Sequence, residues 1–231
     1  MPATPTPDLS AVRVCVFDAY GTLFDVASAA RHHKQDLGER WEPLSDVWRT
    51  KQLQYTWLRS LMGRYVDFHR VTRDALDFAL DSVGISDSSL ADRLMALYER
   101  LDAYPEVPEV LRALKAAGKQ VAILSNGSPG MLRSAVDAAG LGSLIDDQLS
   151  VDTLQVYKPH PDVYALATSR YGVAPADVAF FSSNGWDVAG AAAFGFRVVW
   201  INRFSQGRER LPAGPEVELA DLRGIPGLFG L

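Results

Sequence analysis

The chain has 231 residues, 48% hydrophobic and 22% charged, with a formal net charge of −5 and a single cysteine. This is ordinary globular composition, at a length that suits one domain with an insertion or two small domains. No long block of one charge sign argues for nucleic acid or a membrane surface as partner, and one cysteine, Cys15, excludes an internal disulfide and a multi-cysteine metal site.

Residues 1–10 are proline-rich and read as a flexible tail rather than a signal peptide, which needs an apolar run of roughly 7–15 residues. No stretch reaches the ~18 uninterrupted apolar residues of a membrane span, so a soluble cytoplasmic protein is expected. The apolar run at 12–17 predicts a first strand, with Cys15 as a small core residue. The run stops at Asp18, and a turn at Gly21-Thr22 follows. This sets one carboxylate at the carboxyl end of a strand, where ligands bind in open α/β sheets.

From about 26 to 104 the pattern is helical. Leu44, Val47, Trp48, Tyr55, Leu58 and Met62 recur at helical spacing, as do Leu76, Ala79, Leu80 and Val83, and then Leu90, Leu94, Leu97 and Leu101. After Tyr104-Pro105 strands and helices alternate. A helix is expected over 107–117, a strand at 121–124, a helix over 131–139, a weaker strand near 148–151, and a helix from Pro159 to Tyr171. A strand at 178–181, a short helix over 187–194 and a last clear strand at 197–201 complete the series. Such alternation predicts an α/β fold with a doubly wound parallel sheet. The expected organisation is a tail at 1–10, an α/β core at 11–25 and 105–231, and an inserted helical cap at 26–104.

Four polar clusters fall at or just after these strands: Asp18, Ser125-Asn126, Lys158 and Ser182 to Asp187. Each alone has a plain alternative. Ser125-Asn126-Gly127 suits a turn, Lys158 a solvated surface, and Asp187 the start of a helix, where the dipole favours an acid. Together they change meaning, because the carboxyl ends of parallel strands converge on one crevice. The four histidines, His32, His33, His69 and His160, lack metal-ligand spacing. Neither a G-x-S-x-G nucleophile elbow nor a P-loop is present.

The order acid, Ser-Asn, Lys-Pro, acid resembles the four-motif layout of the haloacid dehalogenase superfamily from about 12 to 202. Closer detail resembles its L-2-haloacid dehalogenase branch: FDAYGTLF at 17–24, VWRTKQLQYTWLRSLMGRY at 47–65, YKPHPDVY at 157–164 and FFSSNGWD at 180–187. Phosphatases of the superfamily carry a second Asp where this chain has Tyr20, a group with an ordinary pKa of about 10. They also hold Mg²⁺ with extra acids where Ser182, Ser183 and Asn184 stand, and Mg²⁺ favours carboxylates. The residues therefore favour metal-independent chemistry with no cofactor. A Mg-dependent phosphatase or phosphonatase, or a non-catalytic binding protein on the same fold, are the other readings.

The resemblance implies a Rossmann-like core, a small 2-haloacid as substrate and a homodimer. It implies that Asp18 attacks carbon and forms an ester. A cation beside a carboxylate favours its ionised form, and Lys158 is the candidate. Asp187 would hold Lys158 and help activate water, assisted by Ser182 and Asn184. Thr22 and Ser125 would orient Asp18 and the substrate carboxylate, with backbone N–H groups at Tyr20 and Gly21 also in reach. Arg49, on the cap, and Asn126 would receive the halide, with Phe181 beside them. Taken without its flanking match, Arg49 would suit a solvated helix face. Tyr20, Leu53, Phe68, Tyr164 and Trp186 would line the substrate.

Overall fold

A computed structural model describes residues 7–26, 37–98 and 101–231. Parts of the expected tail and cap, with His32 and His33, lie outside them. The sheet comprises β1 (Val14–Phe17), β2 (Gln120–Ser125), β3 (Asp147–Ser150), β4 (Val178–Ser182), β5 (Arg197–Ile201) and β6 (Val217–Leu219). Every pairing is parallel, in the order β3-β2-β1-β4-β5-β6. The order reverses direction between β1 and β4, and a crevice opens there beyond the strand ends. The central strands β1 and β4 are apolar up to the terminal Ser182 of β4 and buried on both faces, as a parallel sheet covered by helices requires.

The helices are α1 (Trp41–Leu61), α2 (Phe68–Ser82), α3 (Ser88–Tyr98), α4 (Val107–Ala116), α5 (Pro129–Ala138), α6 (Pro161–Tyr171), α7 (Gly185–Phe194) and α8 (Ile225–Leu228). The first three form a layer between β1 and α4. Asp67 caps α2 by accepting from the Arg70 N–H at 2.8 Å. The buried face of α1 is Leu44, Trp48, Gln52 and Thr56, spaced by one turn each. The expected stripe therefore turns outward at its far end, where Leu58 and Met62 are 50% and 62% exposed.

The chain enters and leaves the helical layer along a short antiparallel contact. Phe24 bridges to Ala103, Asp25 N–H donates to Asp102 O at 2.8 Å, and Tyr104 N–H donates to Leu23 O at 3.0 Å. Leu9 corrects the expected tail: it is buried, and its N–H donates to Leu228 O at 2.8 Å. The short β6, three residues with half-buried ends, was not expected from the sequence.

Candidate active site

Asp18 follows β1, and its N–H donates to Phe181 O at 2.9 Å, which extends the β1–β4 pairing one step past the strand. The chain then folds back sharply. Ala19 O accepts from the N–H groups of Leu23 at 2.9 Å and Phe24 at 3.0 Å, and Gly21 takes a φ of 88°, a left-handed value open to glycine. This turn returns the Thr22 hydroxyl to Asp18 Oδ2 at 3.2 Å. The same Thr22 oxygen accepts from the Ser183 N–H at 2.8 Å and so ties the turn to the end of β4. Gly21's own N–H donates to Phe24 O at 2.7 Å, so it is committed within the turn rather than free for a ligand.

Three side chains converge on the Asp18 carboxylate, which is 6% exposed. Lys158 Nζ donates to Oδ1 at 3.1 Å; Thr22 and Asn184 serve Oδ2, the latter through Nδ2 at 2.8 Å. Lys158 also donates to Asp187 Oδ2 at 2.9 Å, and its ammonium lies over the Phe180 ring. Burial opposes the Lys158 charge, but attraction to Asp18 and Asp187 outweighs it and raises the lysine's pKa. Burial pushes Asp187 up from the usual carboxylate range, with Lys158 pulling it partly back. One ammonium thus serves two buried carboxylates.

The β2 turn holds Lys158 in place. Asn126 Oδ1 accepts from the Lys158 backbone N–H at 3.0 Å, which leaves the Nδ2 donors of that amide facing away from this bond. Ser125 Oγ accepts from the Gly127 N–H at 3.0 Å, and Ser150 Oγ donates to Gly127 O at 2.7 Å. Gly127 must be a glycine here, because a Cβ would come within 2.8 Å of Tyr20 Cε2. Ser182 Oγ accepts from the Asn184 N–H at 3.2 Å and so shapes the turn that aims Asn184.

Arg49 reaches the core from α1. Its Nη2 donates to Asn184 Oδ1 at 3.1 Å and lies 3.4 Å from Tyr20 O, and its Nη1 donates to Gln52 Oε1 at 2.7 Å. Leu53 is half-buried one turn beyond Arg49. Phe68 packs on Tyr20 with ring centroids 5.5 Å apart, and Trp186 meets Trp57 edge-on at 5.4 Å. Asp18, Thr22, Arg49, Lys158, Asn184 and Asp187 therefore form one bonded group, with Ser125, Asn126 and Ser182 supporting it through backbone contacts.

Two residues stand elsewhere than expected. Phe181 is fully buried with its ring stacked on Phe17 at 4.6 Å; successive strand residues point to opposite faces, and it is Phe180 that meets Lys158. Phe181 reaches the site only through its carbonyl. Tyr164 is also fully buried, among Phe180, Phe194 and Phe196, and its hydroxyl donates to Asp187 Oδ1 at 2.8 Å. It braces Asp187 instead of lining a substrate. Gln52, Thr72 and Ser150 were not expected from the sequence. Gln and Thr inside a helix read as solvated positions, and only their spacing with Trp48 hinted at burial.

The family model for haloacid dehalogenase-like hydrolases matches residues 12–195. The chain is 48% identical over 219 residues to (S)-2-haloacid dehalogenase 1 of Pseudomonas sp. (strain CBS-3), covering 94% of this chain and 96% of that protein. It is 48% identical over 216 residues to (S)-2-haloacid dehalogenase 4A of Burkholderia cepacia, covering 93% and 90%. Among solved structures, the L-2-haloacid dehalogenase from Xanthobacter autotrophicus with chloropropionic acid covalently bound superposes with a TM-score of 0.87 at 42% identity, covering 94% of this chain and 98% of that one. A carboxylate just past the carboxyl end of β1, an ammonium shared with a second acid, and this likeness along nearly the whole chain agree: the protein belongs to the (S)-2-haloacid dehalogenases of the haloacid dehalogenase-like hydrolase family.

Proposed function

We propose that the protein hydrolyses L-2-haloalkanoic acids to D-2-hydroxyalkanoic acids and halide through an ester on Asp18. The observation that carries this is the set of three donors, Lys158, Thr22 and Asn184, on a single buried carboxylate whose Asn184 partner is also bonded to the Arg49 guanidinium. Segment 26–104 acts as the cap that brings Arg49 to the core.

In the first step a carboxylate oxygen of Asp18 attacks C2 of the substrate. The new C–O bond forms as the C–halogen bond breaks, and the halide leaves with the bonding pair. Attack opposite the leaving group inverts C2. Arg49 and the Asn126 Nδ2 donors stabilise the charge growing on the halide. The Ser125 hydroxyl, whose oxygen already accepts from the Gly127 N–H, donates a hydrogen bond to the substrate carboxylate. Tyr20, Leu53, Phe68 and Trp186 form the apolar wall around C2 that excludes water.

In the second step water attacks the Asp18 carbonyl carbon and passes a proton to Asp187. The tetrahedral adduct collapses, and its hydroxyl proton goes to the departing alkoxide. The D-2-hydroxy acid leaves, Asp18 returns as the carboxylate, and Asp187 releases its proton to solvent. Esterification removes the negative charge of Asp18, whose repulsion helps to raise Asp187. Loss of that charge favours the ionised form of Asp187 at the stage when it must accept a proton.

The test is a single turnover with excess enzyme in heavy-oxygen water, followed by mass spectrometry of the peptide that contains Asp18. The heavy oxygen enters Asp18 first under this route; its appearance only in the hydroxy acid overturns the route. Halide release is expected to be unaffected by EDTA.

The active species is a homodimer formed through the helical cap. Leu58, Leu61 and Met62 at the end of α1 are 50%, 86% and 62% exposed, a cluster that a second copy would cover. Sedimentation of the wild type against Leu61→Glu tests this, and a monomeric wild type overturns it.

A further inference from the structure

The guanidinium of Arg49 is held from the cap side by a buried polar chain with a fixed direction. Thr72, fully buried in α2, donates its hydroxyl proton to Phe68 O at 2.6 Å. A peptide carbonyl only accepts, so the Thr72 oxygen is left as an acceptor, and Gln52 Nε2 donates to it at 2.8 Å. That settles which way the Gln52 amide points. Its oxygen faces Arg49 Nη1 at 2.7 Å. The Trp48 indole N–H donates to Thr72 O at 2.9 Å and fixes α1 against α2 at the same level.

Asn184 repeats this logic on the core side. Its Nδ2 donates to Asp18 Oδ2 and to Tyr20 O, so its oxygen must accept from Arg49 Nη2. Arg49 is thus gripped by two neutral amide oxygens whose orientations are set by groups behind them. Gln52 is 1% exposed, and burying an amide and a hydroxyl between two helices costs stability unless each is satisfied. Apolar side chains would pack α1 on α2 equally well, so the polar pair has a purpose beyond packing.

We propose that Gln52 and Thr72 are positioning residues for Arg49: they fix the plane of its guanidinium and, being neutral, leave its charge undiminished for the departing halide. This rests on the reading of Arg49 as the halide's cation. A glutamate at position 52 would place a carboxylate on the same edge and quench that charge. Chloride leaves less readily than bromide, so loss of the chain is felt most with chlorinated substrates.

The experiment compares single-turnover halide release and steady-state KM for L-2-chloropropionate and L-2-bromopropionate. The enzymes are the wild type, Thr72→Val, Thr72→Ser, Gln52→Glu and Arg49→Lys. Thr72→Val, which keeps the volume and removes the hydroxyl, is expected to slow chloride release about tenfold, bromide release less, and to leave KM nearly unchanged. Thr72→Ser restores the wild-type ratio, and Gln52→Glu lowers chloride release at least as far as Thr72→Val. Should Thr72→Val fail to fold, Gln52→Glu against the wild type decides the matter by the same ratio. If Arg49→Lys changes the chloride-to-bromide ratio while Thr72→Val and Gln52→Glu do not, the positioning proposal is overturned and the role of Arg49 stands. If Arg49→Lys leaves the ratio unchanged, the halide role fails and the proposal with it.

Discussion

The phenolic oxygen of Tyr164 lies 2.8 Å from Asp187 Oδ1, with both side chains fully buried. Burial and the neighbouring acid push the phenol well above its ordinary pKa, so Tyr164 stays a donor across the working pH range. Burial raises Asp187, and the hydrogen bond from Tyr164 helps to hold it down. Tyr164→Phe therefore raises Asp187 further and protonates it at a higher pH than in the wild type. Steady-state halide release falls, and the acid limb of the kcat profile moves toward neutral pH. The first equivalent of halide, which depends on Asp18, is still released as a burst. Stability drops by about 1–3 kcal/mol, the cost of one unmade buried bond. An unshifted pH profile with no burst would remove Tyr164 from this role.

Lys158 supplies the positive charge between Asp18 and Asp187, and Lys158→Met tests what that charge does for the fold. Breaking a buried ion pair from one side costs roughly 3–5 kcal/mol. The variant holds two close carboxylates with no cation, so Asp187, already raised by burial, is raised more. A carboxyl with a folded pKa above its unfolded one gains stability by binding a proton in the fold. The variant's melting temperature should therefore rise as pH falls from 8 toward the ordinary carboxylate range, while its activity is lost at every pH. In the wild type the raised lysine contributes fully below the ordinary lysine value of 10.5 and loses that contribution only as pH climbs through its higher folded value. Thermal melts of both proteins between pH 5 and 8 decide this; a variant that weakens on acidification contradicts it.

The strand ends were legible in the sequence because a parallel sheet leaves little choice. Short apolar runs stop at Asp18, Ser125 and Ser182, and parallel pairing gathers those ends at one edge of the sheet. Which face a strand residue takes is set by register, and nothing in the pair Phe180-Phe181 says which ring meets Lys158. The far end of α1 was misread for a related reason: Leu58 and Met62 fit the apolar spacing, yet α2 packs on the turns carrying Trp48, Gln52 and Thr56. Gln52 and Thr72 join across two helices, Tyr164 meets Asp187 across two more, and Arg203, just past β5, finds Glu106 at the start of α4. Such pairs become visible only once the chain has folded.

Gly190 stands in α7, where its missing side chain makes room for the Tyr164 hydroxyl. A Cβ there would clash with that hydroxyl and come within 2.7 Å of Pro159 Cβ. Alanine is the better helix former by about 1 kcal/mol. Here the neighbours cannot yield, since the Tyr164 ring is wedged among three phenylalanines and Pro159 follows Lys158 directly. Gly190→Ala should lower stability by about 1–3 kcal/mol through overpacking and reduce kcat by moving Tyr164 and Lys158 together. Calorimetry and steady-state kinetics on the one variant suffice. A higher melting temperature with unchanged kcat would show that helix propensity wins and the close approach is slack.

Arg203 fastens the two chain crossings between the helical layer and the sheet. Its Nη1 lies 2.6 Å from Glu106 Oε1, its Nη2 donates to Thr22 O at 3.0 Å, and its guanidinium lies 3.7 Å from the Tyr104 ring centroid. Thr22 belongs to the outgoing crossing, Tyr104 and Glu106 to the returning one, and both charged side chains are nearly excluded from solvent, at 9% and 4% exposure. Arg203→Ala strands Glu106 as a buried, unpaired acid and frees the Thr22 carbonyl. The expected loss is about 3–5 kcal/mol, or on the order of 10 °C in melting temperature for a chain of this size. Because Thr22 also holds Asp18, kcat falls with it. Arg203→Met combined with Glu106→Gln removes both charges and should recover much of the stability but not the activity, since the Thr22 carbonyl still lacks its donor. Melting temperatures of Arg203→Met, of Glu106→Gln and of the double give the coupling directly. If the single changes simply add, the ion pair contributes nothing to fastening the two crossings, and Arg203 acts only by packing on Tyr104.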